Sequence, residues 1–211
     1  GRGLACLAIR WSARGVASAA LVCFCLTLVA CFAPQDPAAL PYRTSSILRH
    51  GNGAMQRAFL VEETELAGYP CRRWVWWYED GSLDNVELAR DLVVQGHALP
   101  SHTRIFLDRE GRLAHAWLAE DTAIDGLPCR GGWKIDTAFH ANGRVKAFFP
   151  PEALEIDGVT CAASVFAPVY LHPDGSLRQC RLAADARIGG IAHRRGETVE
   201  LPPASSAPEG S

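Results

Sequence analysis

Along residues 47–201 the apolar positions follow two periods at once. Locally the period is two: stretches such as Thr103-Arg104-Ile105-Phe106-Leu107 and Val169-Tyr170-Leu171-His172 place alternate side chains on opposite faces of a strand. Over a longer range the whole pattern recurs every 28 to 32 residues. Gly53, Gly81, Gly111, Gly143 and Gly175 mark the copies, and fifteen residues after each stands a second glycine, Gly68, Gly96, Gly126, Gly158 or Gly190. Two after the first glycine come Met55, Leu83, Leu113, Val145 and Leu177. Thirteen after come Leu66, Val94, Ile124, Ile156 and Ile188. Columns aligned over five copies identify a repeat architecture.

Each copy has β chemistry. Strands run into Asp80-Gly81, Glu110-Gly111, Asn142-Gly143 and Asp174-Gly175. Asp-Gly and Asn-Gly favour hairpin turns because both positions tolerate positive φ. Turn signals every 13 to 17 residues, with no helical period between them, predict an all-β chain. The expected fold is about five antiparallel hairpins in a meander or solenoid-like sheet. Pro150-Pro151 interrupts the fourth copy and predicts a bulge or a sheet edge.

The period of two separates the faces of the strand before each turn. Val75, Ile105, Thr137 and Val169, with Trp77, Leu107, Phe139 and Leu171, form the expected core face. Trp76, Phe106, Ala138 and Tyr170 point the other way. An aromatic column on an outward face marks a binding surface, unless a second layer covers it. Trp76, Phe106 and Tyr170, with the neighbouring Trp74, are therefore the candidate binding residues. Arg72 and Arg73 beside Trp74 offer cation–π stacking or anion capture, and the plainer expectation for them is solvation.

Three further columns carry chemistry-bearing side chains. Three before the first glycine stand His50, Tyr78, Asp108, His140 and His172. Stacked copies would set Asp108, His140 and His172 side by side as candidate metal ligands, against the plainer expectation of a polar position flanking a turn. Ten after the glycine stand Glu63, Asp91, Asp121, Ala153 and Asp185, expected to make Asx turns to their own backbone. His97, His102, His115 and His193 share no column and read as surface residues. Cys71, Cys129, Cys161 and Cys180 are disulfide candidates in an exported domain, with Cys129–Cys161 favoured because they share a column in adjacent copies. Signatures of a serine hydrolase, a P-loop, a zinc protease and a dinucleotide fold are absent, and no cofactor is implied.

The length, 211 residues with 48% apolar, suffices for one domain with a real core. A net charge of −2 gives no basic field for nucleic acid. Gly15–Ala33 carries no charge and follows Arg10 and Arg14, the layout of a secretory signal, and it is long enough for a retained anchor. Leu28-Val29-Ala30-Cys31 resembles the bacterial lipobox. That resemblance implies a signal peptide over 1–30, lipidation of Cys31 and a membrane anchor without a spanning helix. Phe32 in place of aspartate after the cysteine implies outer-membrane sorting in the cell envelope of a Gram-negative bacterium. Residues 31–46 then form the lipidated N-terminus and linker, 47–201 the repeat domain and 202–211 a disordered tail.

The hairpins, above all Trp74-Val75-Trp76-Trp77-Tyr78-Glu79-Asp80-Gly81, resemble MORN-type and YwqK-like antitoxin repeats in rhythm across residues 47–201. This implies stacked hairpins with a binding or scaffold role, and it carries over no catalytic residue. A looser similarity to β-jelly-roll lipid carriers implies a lipid- or lipopolysaccharide-handling role instead. The expectation is a non-catalytic envelope lipoprotein that engages an envelope protein or a lipid ligand through its repeat surface. A metal-dependent hydrolase using the histidine column is a further alternative.

Overall fold

The computed structural model describes residues 40–204. The expectations for the signal peptide, lipidation at Cys31 and the tail beyond 204 lie outside those residues. Within them the chain is all-β, and each copy supplies two strands to one main sheet and one short hairpin beside it. The main-sheet strands are β1 (Leu48–Arg49), β2 (Met55–Phe59), β4 (Tyr69–Trp77), β5 (Leu83–Leu88), β8 (Arg104–Leu107) and β9 (Leu113–Trp117). They continue with β12 (Asp136–Phe139), β13 (Val145–Phe148), β16 (Val169–Leu171), β17 (Leu177–Arg181) and β20 (Thr198–Glu200). These pair in chain order into one open antiparallel sheet, with β3 (Thr64–Leu66) folded back on the first half of β4. Four short hairpins form separate two-stranded sheets: β6 (Leu92–Val94) with β7 (His97–Leu99), and β10 (Thr122–Ile124) with β11 (Leu127–Cys129). The other two are β14 (Leu154–Ile156) with β15 (Val159–Cys161), and β18 (Ala186–Ile188) with β19 (Ile191–His193).

The core follows from the register. Ala58, Val75, Val86, Ile105, Ala116 and Thr137 are cross-strand neighbours in one row, continued by the pairs Phe148–Val169 and Cys180–Val199. All are buried. Packed against their apolar members, in the same cluster, are Leu66, Val94, Leu99, Ile124, Cys129, Val159 and Cys161 of the short hairpins. One face of the sheet is thus roofed by the hairpins of its own repeats, which is how a single sheet acquires a core. Leu40 and Tyr42, in the stretch expected as linker, also pack on that core.

The turns correct the expectation from the sequence. At the first glycine the Gly81 N–H donates to the Tyr78 carbonyl at 3.0 Å, and the Tyr78 N–H donates to the Ser82 carbonyl at 2.9 Å. Only the glycine has positive φ there, +85° at Gly81, while Asp80 stays on the ordinary side. This is a three-residue loop ending in a left-handed residue, and it sets a bulge into the next strand. The bulge residue Asp84 lets Leu83 and Val86, three apart, both face the core. The two-residue turn with two positive φ values occurs instead at the second glycine, as at Asp125 (+53°) and Gly126 (+79°). Pro150-Pro151 makes neither a bulge nor an edge, since β13 lies between β12 and β16 inside the sheet. The prolines simply end the strand at Phe148, and their carbonyls accept from the Arg130 guanidinium.

Candidate binding face

The face away from the short hairpins carries a second register row. Arg57, Trp76, Asn85, Phe106, His115, Ala138, Ala147, Tyr170, Gln179 and Glu200 are successive cross-strand partners along it. Trp76, Phe106 and Tyr170 point outward as the sequence predicts, half-buried and outside the core cluster. Among the described residues no second layer covers them. They do not form one stripe, however. His115, Ala138 and Ala147 separate Phe106 from Tyr170, a span of four strand spacings or about 19 Å.

The aromatic surface is instead concentrated over β2 to β9. Phe59 meets Trp74 edge-to-face with ring centroids 5.3 Å apart, and Trp74 lies 5.8 Å from Trp76. Phe106 lies 4.8 Å from Trp117. The Arg104 guanidinium bridges the two groups, sitting 4.7 Å over the Trp76 ring and opposite Trp117 in register. Such stacking holds indoles and guanidiniums in fixed poses. Trp74 shares this face with Trp76 because it stands two residues before it in the unbroken ladder with β2, and β4 departs from β5 just there, at Arg73, whose φ is +59°. Phe59 and Trp117 lie six after their turn glycines. A bulge follows each turn, so strict alternation from Met55 or Leu113 would have turned both of them inward.

Charge on this patch is lopsided. The Glu87 carboxylate is nearly buried and is approached by Arg72 at 3.4 Å, Arg104 at 3.6 Å, Arg73 at 3.7 Å and His102 at 3.8 Å. Three guanidiniums thus share one carboxylate, so Arg72 and Arg73 do more than solvate a strand. Burial pulls the Arg104 pKa down, against the opposing pull of Glu87. Arg43 stacks over Phe59 at 4.8 Å and Arg57 over Trp74 at 5.3 Å. Farther along, His115 Nδ1 lies 2.8 Å from an Asp136 oxygen, and that hydrogen bond raises the His115 pKa above its ordinary 6.5. A raised folded-state pKa contributes stability below the unfolded value, and the contribution is lost as pH rises through the folded one. An NMR titration is expected to place His115 above an ordinary histidine in the wild type, and Asp136→Asn should lower it. An unchanged midpoint in the variant contradicts the pairing.

The histidine column serves the repeat. The His50 Nε2 lies 2.9 Å from the Trp77 carbonyl oxygen, His140 Nε2 3.0 Å from that of Leu171, and His172 Nε2 2.9 Å from that of Leu201. The Tyr78 hydroxyl donates to the Leu107 carbonyl at 2.7 Å. Each bond ties one copy to the next. Asp108 instead turns back on its own loop, accepting the N–H groups of Glu110 and Arg112. This geometry gives no support to the metal alternative for Asp108, His140 and His172. Each copy adds two strands, so equivalent positions lie about 9.5 Å apart and cannot converge on one ion. Among the described residues no group of three metal-ligating side chains is present.

The carboxylate column and His97 also depart from expectation. Asp91, Asp121 and Asp185 each accept a backbone N–H ten residues on, from Ser101, Gly131 and Arg195, and so clasp the two ends of a short hairpin. They make no Asx turn. His97 is buried, with Nε2 2.8 Å from the Gly143 carbonyl oxygen and Nδ1 3.3 Å from Asp125.

Cys71, Cys129, Cys161 and Cys180 are all buried and unlinked. The favoured Cys129–Cys161 bond fails on the same spacing. A repeat offset of about 9.5 Å exceeds the roughly 7 Å that a disulfide tolerates between Cα atoms. Cys161 instead neighbours Cys180 of the next copy, and that thiol together with burial pushes the Cys161 thiol up. Burial pushes the thiols of Cys71 and Cys129 up to about 12. Because the thiolate is the nucleophile, iodoacetamide at neutral pH is expected to leave Cys71 and Cys129 unmodified in the folded chain and to alkylate them in urea. Peptide mass mapping that finds them labelled before unfolding contradicts this burial.

Comparison of the chain with protein-family models, with curated proteins and with solved structures finds no match.

Proposed function

We propose that this chain is a non-catalytic binding module that works from the cell envelope, attached to the membrane through its N-terminal segment. It presents the aromatic and arginine patch of its open sheet face to an envelope partner. The observation that carries this reading is the stacking of Arg43, Arg57 and Arg104 on Phe59, Trp74 and Trp76, beside the Phe106–Trp117 pair, on a face the fold does not need for its core. Aromatic and arginine side chains dominate the energetics of recognition surfaces. The side chains that a hydrolase would use, His140, His172 and Asp108, are engaged in backbone hydrogen bonds. The lipid-carrier reading asks the aromatics to line an apolar groove. Here they lie on an open face beside charged groups, which favours the scaffold over the carrier.

The test is capture from solubilised envelopes by the wild type and by Trp76→Ser/Phe106→Ser/Trp117→Ser, with lipid extraction from both. The variant must first show cooperative unfolding. A protein captured by the wild type and lost by the folded variant supports the proposal. Co-purified lipid lost by the variant would favour the carrier. Equal capture by both overturns the assignment of this face.

A further inference from the structure

The five copies differ in length at one place. From the second glycine of a copy to the first glycine of the next, the distances are 13, 15, 17 and 17 residues. The additions in the third and fourth copies fall in the loops at 130–135 and 162–168. In repeat proteins such insertions gather on one side, which is often the binding side. Here they carry the most exposed apolar side chains among the described residues, Phe166 at 93% and Trp133 at 80% of full exposure, with Val165 beside them.

Both loops lie at the sheet edge opposite the Asp-Gly turns. The Gly132 N–H donates to the carbonyl of Leu118, seven after its turn glycine, and the Ala162 N–H donates to that of Arg181, six after its own. Val61, also exposed, sits at the same edge, and its N–H donates to the Pro41 carbonyl. The described chain therefore enters the fold at this edge. The uncharged run Gly15–Ala33 ends only seven residues before Leu40 in sequence.

Hydrogen bonds fasten both loops. The Arg130 N–H donates to the Phe149 carbonyl at 2.7 Å, and its guanidinium donates to that of Pro151 at 2.8 Å. Ser164 Oγ accepts the N–H groups of both Phe166 and Ala167 at 3.0 Å. The bases of the loops are pinned while Trp133 and Phe166 project, so the exposure belongs to a built conformation. Lys134 places its Nζ 4.2 Å over the Trp133 ring, the pairing of an aromatic ring with a cation that suits a phosphate headgroup layer.

We propose that this edge is a lipid-contacting surface, with Trp133, Val165 and Phe166 dipping into the interfacial layer of the membrane that holds the N-terminal segment. The inference rests on the membrane attachment proposed above and sets the orientation of the domain, with the turn edge pointing away from the bilayer. Exposed Glu62 and Glu120 at the same edge offset the charge of Lys134, so the contact rests on its apolar side chains and is expected to persist at high salt.

The test uses the full chain reconstituted with phosphatidylethanolamine–phosphatidylglycerol vesicles carrying nitroxide-labelled lipid. Subtracting the emission of Trp133→Phe from that of the wild type isolates Trp133. The expected result is quenching of the Trp133 component, reduced about twofold or more in Val165→Ser/Phe166→Ser as the interfacial anchors are lost. A chain that binds vesicles while Trp133 stays unquenched leaves the attachment standing and overturns the lipid-contacting edge. Quenching unchanged in the double variant overturns the role of the second loop. A chain that does not bind vesicles at all refutes the attachment and this inference with it.

Discussion

Phe148→Ala is expected to lower the stability of the repeat unit by about 3–5 kcal/mol, the range for emptying a large buried aromatic site. Phe148 has no exposed surface and is the largest of the fully buried side chains among the described residues. Its column holds Ala58, Val86, Ala116 and Cys180 in the other copies, so only the fourth copy fills this position with a ring. The same copy ends its strand at Phe148 because Pro150-Pro151 follows. With no strand beyond it to close over the gap, the ring occupies volume that small neighbours cannot reclaim. Urea denaturation of the two proteins measures the difference through the midpoint. A loss below about 1 kcal/mol would mean that the site collapses freely and that Phe148 is not a centre of the core.

Gly131→Ala is the second large effect, and its cause is space. A Cβ at Gly131 would lie 2.2 Å from the Glu120 carbonyl carbon, 2.4 Å from its oxygen and 2.5 Å from its Cα, all backbone atoms. The contact arises where the loop after β11 presses against the end of β9, fixed by the Gly131 N–H to Asp121 bond and the Gly132 N–H to Leu118 bond, both 2.8 Å. One methyl group must therefore move main chain, at a cost of about 3 kcal/mol, near the top of the overpacking range. Gly132→Ala is the control. That position has φ +129°, and its nearest atom is the mobile end of Ile135, 3.1 Å away. An alanine there is strained by its backbone alone, at about 1–3 kcal/mol, with no main chain in its way. Thermal unfolding of each variant measures the loss, and a loss below about 1 kcal/mol for Gly131→Ala would contradict the close approach at Gly131.

Much of the fold is legible because a strand's period is two and a repeat multiplies the signal. Val75, Ile105 and Val169 inward against Trp76, Phe106 and Tyr170 outward could be read from the residues alone, and the register bears this out. The strands of the short hairpins could not be read. Three-residue strands such as Thr122-Ala123-Ile124 are too brief to show a period, although Asp125-Gly126 and Asp157-Gly158 carry the Asp-Gly signal of their turns. The bulge after each loop breaks the alternation in the second strand, which hid Phe59 and Trp117. Columns also reveal which residues are equivalent without revealing the distance between copies. That missing spacing is why Cys129–Cys161 and the Asp108, His140 and His172 set looked plausible.

The central claim is that one face of the sheet is core and the other is kept for recognition. The direct measurement is urea unfolding of Trp76→Ser/Phe106→Ser/Trp117→Ser beside Val75→Ser/Ile105→Ser, whose first members are adjacent in the chain on opposite faces. The outward variant is predicted to unfold cooperatively, having lost about 1 kcal/mol per ring, while the inward variant is predicted to lose its cooperative transition. An outward variant that fails to fold would contradict the account, because the aromatic patch would then be part of the core.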